Sequence, residues 1–219
     1  MGTIRYMTEA EQQQLLRKVK AYRCPLAQRD YHWIRLLIAL GARVTEFSLI
    51  TRDQAEQALA TGWLIVKAEQ RKGGKKGHEY LVDQTVRECL AALLFMARAE
   101  DPPADGSPAP LIAGRDGCRL SVRSYQARLK LWVKDAGLDP RISVHWLRHT
   151  RGMNIIRRSD GKNPLKTVQM ALGHSSLSST GIYTQMAREE YVRELQRVDG
   201  RRMPKRLAKA MAEQGRAAA

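Results

Sequence analysis

Two β-prone runs, Trp63-Leu64-Ile65-Val66-Lys67 and His78-Glu79-Tyr80-Leu81-Val82, bracket the turn-forming stretch Lys72-Gly73-Gly74-Lys75-Lys76-Gly77. Elsewhere the apolar residues recur at helical intervals. A glycine-rich turn between such runs favours an antiparallel hairpin, so the predicted fold is mainly α with one small antiparallel β-sheet (α+β). The hairpin also puts Lys72 where a strand ends and a basic loop begins.

The helical segments carry their own punctuation. Thr8-Glu9-Ala10-Glu11 has the form of a capping box, in which Thr8 and Glu11 satisfy the free amides of a helix start. It predicts a helix through about Lys20. Trp33-Ile34-Arg35-Leu36-Leu37-Ile38-Ala39-Leu40 is apolar on most faces and reads as a buried helix stopped near Gly41. Residues 44–49 begin the next helix, with Arg43 at its entrance. Helical spacing returns over 84–98 through Val86, Leu90, Leu93 and Leu94, and over 121–136 through Tyr125, Leu129, Trp132 and Val133. The segments around His145, over 165–172 and from Tyr183 onward also read as helical. Asp101 to Pro110 is too rich in Pro and Gly to be anything but a loop, and short enough to lie inside one domain.

Charge narrows the class of partner. The 219 residues include 38 Lys and Arg against 22 Asp and Glu, a formal charge of +16 spread along the chain. Such an excess favours a polyanion, because each neutralised phosphate releases condensed counterions. Basic ribosomal and membrane-surface proteins share that balance, so it names no reaction. Cys24, Cys89 and Cys118 stand too far apart for a paired metal motif or a disulfide framework, which points to a reducing compartment. No apolar run approaches the roughly 18 to 20 residues of a membrane span, and the N-terminus lacks an apolar signal core. The expected location is cytoplasmic, with no membrane partner.

Phosphoryl transfer without a metal needs fixed cations around the non-bridging oxygens, an acid for the leaving oxygen and a nucleophile in line. Arg43 and Arg148 offer planar forks suited to phosphate oxygens, and His145 and His174 can donate hydrogen bonds or move protons near neutral pH. Lys72 can act as the acid, and Tyr183 offers a phenol for covalent attack. No cofactor or metal is expected.

Taken singly, each residue has a plainer use. Arg43 with Glu46 reads as an exposed helical ion pair; Lys72, Lys75 and Lys76 as solvated turn charges; Tyr183 as a packed aromatic; His174 as a helix-end cap; His145 as a satisfied core histidine. His145 and His149 are four apart and could share a zinc on one helical face, but Trp146 stands where the metalloprotease pattern requires Glu. His149 reads better as a packing residue. It is the joint match in identity, order and spacing that outweighs these readings.

Leu40-Gly41-Ala42-Arg43-Val44-Thr45-Glu46-Phe47 resembles the segment with the first arginine and a supporting acid of the tyrosine recombinase (phage integrase) family. Arg71-Lys72-Gly73-Gly74-Lys75 resembles its hairpin lysine, and His145-Trp146-Leu147-Arg148-His149 its His-x-x-Arg box. Leu172-Gly173-His174 resembles the position that is His or Trp in the family, with Tyr183 nine residues on as the nucleophile. The resemblance runs from about Thr8 to Tyr191 and implies the catalytic-domain fold of that family over residues 1–199, followed by a basic C-terminal tail over 200–219. Recombinases commonly carry a separate N-terminal DNA-clamping domain. Here the pattern begins almost at Met1, so the chain is either a cut-down form or similar to compact single-domain recombinases such as fimbrial-type DNA invertases.

The resemblance implies a chemistry as well. Tyr183 attacks the scissile phosphate, forming a 3′-phosphotyrosyl bond and freeing a 5′-hydroxyl. Arg43, Arg148 and His174 stabilise the transition state, Lys72 protonates the departing oxygen, and His145 assists proton transfer. The partners implied are double-stranded DNA and further copies of the chain, two per site and four in a synapse. A type IB topoisomerase-like activity would use the same chemistry, and a DNA-binding regulator could keep the fold without cleavage.

Overall fold

In the computed structural model, which describes residues 5–173 apart from 72, 74, 75, 98–102, 104, 105, 115, 116 and 162, helix α2 (Pro25–Leu40) runs through the core. Pro25 at its start has the backbone angle a helix needs and no amide to leave unpaired. The helix therefore begins well before the apolar run at Trp33 from which it is visible in the sequence. It buries Trp33, Ile34, Leu36 and Leu37 completely or nearly so. It ends as expected at Gly41, whose φ of 67° is left-handed.

Helix α1 (Glu9–Lys20) lies against α2 and opens with both halves of the Thr8–Glu11 capping box. After Gly41 the chain makes one short turn, α3 (Val44–Phe47), which is shorter than the predicted 44–49. Helix α4 (Arg52–Thr61) follows and is an element that periodicity did not reveal. Only Ala55 and Ala58 of α4 are buried, so its apolar stripe is faint, but Thr51 and Gln54 form a second capping box at its start.

Strands β1 (Trp63–Val66) and β2 (His78–Leu81) pair antiparallel, with Trp63 opposite Leu81 and Val66 opposite His78. Leu64, Val66 and Tyr80 face the core while Trp63, Ile65 and Leu81 are exposed. Each strand is one residue shorter than its β-prone run. A 3-10 turn at Ala68–Gln70 separates β1 from the basic loop, so the strand does not end at Lys72 as the sequence suggested. Lys72 itself lies outside the described residues.

Helices α5 (Gln84–Ala97) and α7 (Val144–Arg158) flank α2, α6 (Val122–Asp135) packs on α1, and α8 (Pro164–Leu172) packs on α7. A buried carboxylate, Asp30 on α2, accepts hydrogen bonds from the indoles of Trp33 and Trp132 and from Arg128, tying α2 to α6. The described part of the proline-rich stretch is loop, held to the start of α4 by a bridge between Pro110 and Thr51. The architecture is the mainly helical one with a small antiparallel sheet that the sequence predicts. No helix among the described residues is long and apolar enough to cross a membrane.

Candidate active site

Arg43 is the residue just before α3, with an extended backbone. Its Nη1 donates to Glu46 Oε1 at 2.8 Å, and the side chain remains 35% exposed. Glu46 is fully buried. The pair is therefore not the exposed helical ion pair that its spacing suggests, because the carboxylate end lies in the interior. Glu46 Oε1 also faces Arg71 Nε at 3.4 Å, and the Tyr80 hydroxyl donates to Oε2 at 3.2 Å.

Burial alone would raise the Glu46 pKa, but the hydrogen bond and charge of Arg43, with the charges of Arg71 and Arg148, hold it below the usual carboxylate range. Burial and the Glu46 charge push the Tyr80 phenol up. The phenol thus stays protonated and keeps donating to the carboxylate.

Arg148 on α7 is only 3% exposed. Its Nη1 donates to the Gly41 carbonyl at 2.7 Å and its Nη2 to the Leu172 carbonyl at 2.9 Å. Both carbonyls end helices, where no following amide is available to them. One guanidinium thus joins the C-terminal ends of α2 and α8. The approach is close because Gly41 has no side chain: a Cβ there would lie 2.4 Å from Leu172 Cδ2.

One turn before Arg148, His145 shares a cleft with it and with Arg43, walled by Val44, Val122 and Gln126. The His145 and His149 rings meet edge to face, their centroids 4.4 Å apart. Loss of hydration, then Arg148 and Arg43, lower the His145 pKa. Loss of hydration, then His145 and Arg148, bring His149 down to about 4. Both rings are neutral at neutral pH, and a neutral imidazole can take up a proton. Among the described residues, no third His, Cys, Asp or Glu joins this pair in a metal-holding group.

Of the six residues singled out by the sequence, Arg43, His145 and Arg148 thus line one cleft. Lys72, His174 and Tyr183 lie outside the described residues. Two flanking positions are fixed: Arg71 precedes Lys72, and Gly173, left-handed at φ 62°, precedes His174. Arg71 Nη2 donates to the Gly173 carbonyl at 2.8 Å, which joins these two flanks directly. Neither Arg71 nor the burial of Glu46 stands out in the sequence. The available signal was an acid beside Arg43 and a second cation beside Lys72.

A family model described as the phage integrase family matches residues 5–190. A tyrosine recombinase XerC of Neisseria meningitidis serogroup B is 34% identical over 162 residues, covering 74% of this chain and 49% of that protein. The chain spans about half the length of the curated relatives it matches. The crystal structure of XerA recombinase aligns with a TM-score of 0.71 at 20% identity, over 92% of this chain and 68% of the other. The Tn1549 transposon integrase, in complex with transposon right end DNA, aligns with a TM-score of 0.70 at 17% identity, over 90% and 66%. The fold is the one these proteins share.

Proposed function

The chain belongs to the phage integrase family, and from that premise we propose that it is a site-specific recombinase that cleaves and rejoins double-stranded DNA through a 3′-phosphotyrosyl link at Tyr183. The observation that carries this reading is the cleft in which Arg43, His145 and Arg148 converge, with Arg43 braced from behind by the buried Glu46. Cations held in place before the substrate arrives stabilise a phosphorane-like charge without reorganising during the reaction. A formal charge of +16 supports a DNA partner, as does the transposon DNA in the complex of the similarly folded integrase.

In this mechanism the Tyr183 oxygen forms a bond to the scissile phosphorus as the bond from phosphorus to the 5′-oxygen breaks. His145, neutral and beside the cleft, takes up the phenolic proton. Lys72 delivers a proton to the departing 5′-oxygen. Arg43, Arg148 and His174 hold the non-bridging oxygens. A 5′-hydroxyl from a partner strand then reverses the step, so the phosphodiester energy stays in the covalent link. Two copies act at each site and four in the synapse, with residues 1–199 supplying the catalysis and 200–219 a basic tail. The setting is the cytoplasm.

The test uses nicked duplexes with a randomised core, which trap the enzyme because the small fragment diffuses away. The chain should yield SDS-resistant adducts enriched in one core sequence, and Tyr183→Phe should yield none. Adducts in Tyr183→Phe would move the nucleophile elsewhere. Relaxation of supercoiled plasmid without joining of two recovered sites would favour the topoisomerase outcome.

A further inference from the structure

The Arg71 guanidinium touches three separate parts of the chain. Its Nε lies 3.4 Å from Glu46 Oε1. Its Nη1 donates to the carbonyls of Lys76 at 3.0 Å and Gly77 at 3.3 Å, and its Nη2 to that of Gly173 at 2.8 Å. These acceptors belong to the turn that carries Arg43, to the return limb of the loop after Lys72, and to the residue before His174. The side chain is 12% exposed.

The chemistry of the group gives this arrangement its force. A guanidinium is planar, and its five donors keep fixed angles to one another. Acceptors on three segments that all bind it are therefore held in a fixed mutual geometry. Donors committed to a buried carboxylate and to backbone carbonyls face the protein, unlike the part of Arg43 that is exposed in the cleft. Arg71 is built to position, and its neighbour in sequence is Lys72, the acid of the proposed reaction.

The closeness is also written into the glycines. A Cβ at Gly173 would lie 2.8 Å from Arg71 Nη2 and 2.9 Å from the His78 ring. A Cβ at Gly77 would lie 3.1 Å from the Val66 carbonyl oxygen. His78, on the hairpin's second strand, reaches the Ala171 carbonyl at 3.3 Å, a further tie between the hairpin and the last turn of α8.

We propose that Arg71 is a positioning residue: it ties the Lys76–Gly77 limb of the hairpin loop and the turn of Glu46 to the end of α8, and the protonation of the leaving oxygen assigned above to Lys72 depends on that tie. This rests on the strand-cleavage reading above. Misplacing a catalytic group by about 1 Å can cost on the order of a hundredfold in rate. A loosened clamp should act at that scale without emptying the cleft of its cations.

The experiment compares two nicked duplexes of the recovered core, one with the ordinary 5′-bridging oxygen and one with sulfur there. Sulfur departs as a thiolate and needs no proton, so a defect that works through Lys72 should shrink on it. Arg71→Lys and Arg71→Gln are made in the full chain, and melting curves establish that each is folded at the assay temperature. Cleavage of the oxygen substrate should fall about 10- to 100-fold, and that of the sulfur substrate by about threefold or less. DNA affinity should change by less than about threefold. In a Lys72→Ala background, Arg71→Lys should add little, since residues acting as one unit are not additive.

An equal loss on both substrates makes Arg71 a general structural residue and overturns the proposal. So does a loss of affinity that matches the loss of cleavage, or no loss at all. If the unsubstituted chain forms no adduct, the strand-cleavage reading falls and takes this one with it. A working parent with a uniformly impaired Arg71 variant removes only the clamp.

Discussion

Replacing Glu46 by Gln tests whether the buried carboxylate is what holds the cationic side of the cleft together. The amide has nearly the same shape, so the change removes charge with little change of volume. Its oxygen can still accept from Arg43, and its nitrogen can turn to Tyr80, whose hydroxyl can accept as well as donate. What is lost is the countercharge of Arg43, 35% exposed, and of Arg71, 12% exposed. Breaking a buried ion pair costs about 3–5 kcal/mol, and the water around Arg43 discounts that, so the expected loss is about 2–3 kcal/mol.

The pH dependence makes this specific. The folded pKa of Glu46 lies below its ordinary 4.5, so its stabilisation is fully present above that value and is lost as pH falls through the folded pKa. The glutamine variant has no such term. Urea unfolding of both proteins from neutral pH down to about pH 3 should show a constant gap that closes at the acid end, where the parent's carboxyl becomes a neutral acid. Other titrating groups are common to both proteins and cancel in the difference. A neutral-pH gap below about 1 kcal/mol, or one that stays unchanged to the acid end, would refute the account of Glu46 as an ionised hub.

Gly41→Ala should destabilise by about 2–5 kcal/mol, combining about 1–2 for a left-handed non-glycine residue with about 1–3 for overpacking, given a Cβ 2.4 Å from Leu172 Cδ2. Calorimetry would measure it; a loss of only about 1–2 kcal/mol would mean that α8 moves away freely, and a near-neutral effect would refute the estimate. Arg148→Lys should lower stability by about 1–3 kcal/mol, because one ammonium cannot serve both the Gly41 and Leu172 carbonyls. In the adduct assay the same variant should slow cleavage by about a hundredfold or more, and equal losses of binding and cleavage would make Arg148 an ordinary phosphate anchor. His149, with its pKa lowered from 6.5 to about 4, binds fewer protons folded than unfolded, so stability should fall as pH drops across that range, by as much as about 3 kcal/mol. His149→Gln should flatten this slope in urea titrations, and an unchanged slope would assign it to other groups.

What the sequence made visible, and what it hid, follows from the range of each interaction. The Thr8–Glu11 box, the stop at Gly41 and the hairpin are local, since each is decided by residues within a few positions, and the structure has them where the sequence puts them. Helix α4 was equally local, with its Thr51–Gln54 box in plain view, but two buried alanines leave almost no apolar period to notice. Pro25 likewise marks the start of α2 before any hydrophobic pattern begins. The site behaves differently. Arg43, His145 and Arg148 could be picked out because their types and order match a family, although nothing local says that they meet. By spacing alone Glu46 reads as a surface acid, because an i, i+3 pair with Arg43 looks the same whether its carboxylate is wet or dry; only the family resemblance marks it as a supporting acid. Its burial depends on Arg71 and Tyr80, which arrive from the hairpin, and Arg71 in turn depends on the Gly173 carbonyl, 102 positions away. A buried charge needs its partners assembled before it can be tolerated. The chain's most informative electrostatic feature therefore exists only once α3, the hairpin and α8 have come together.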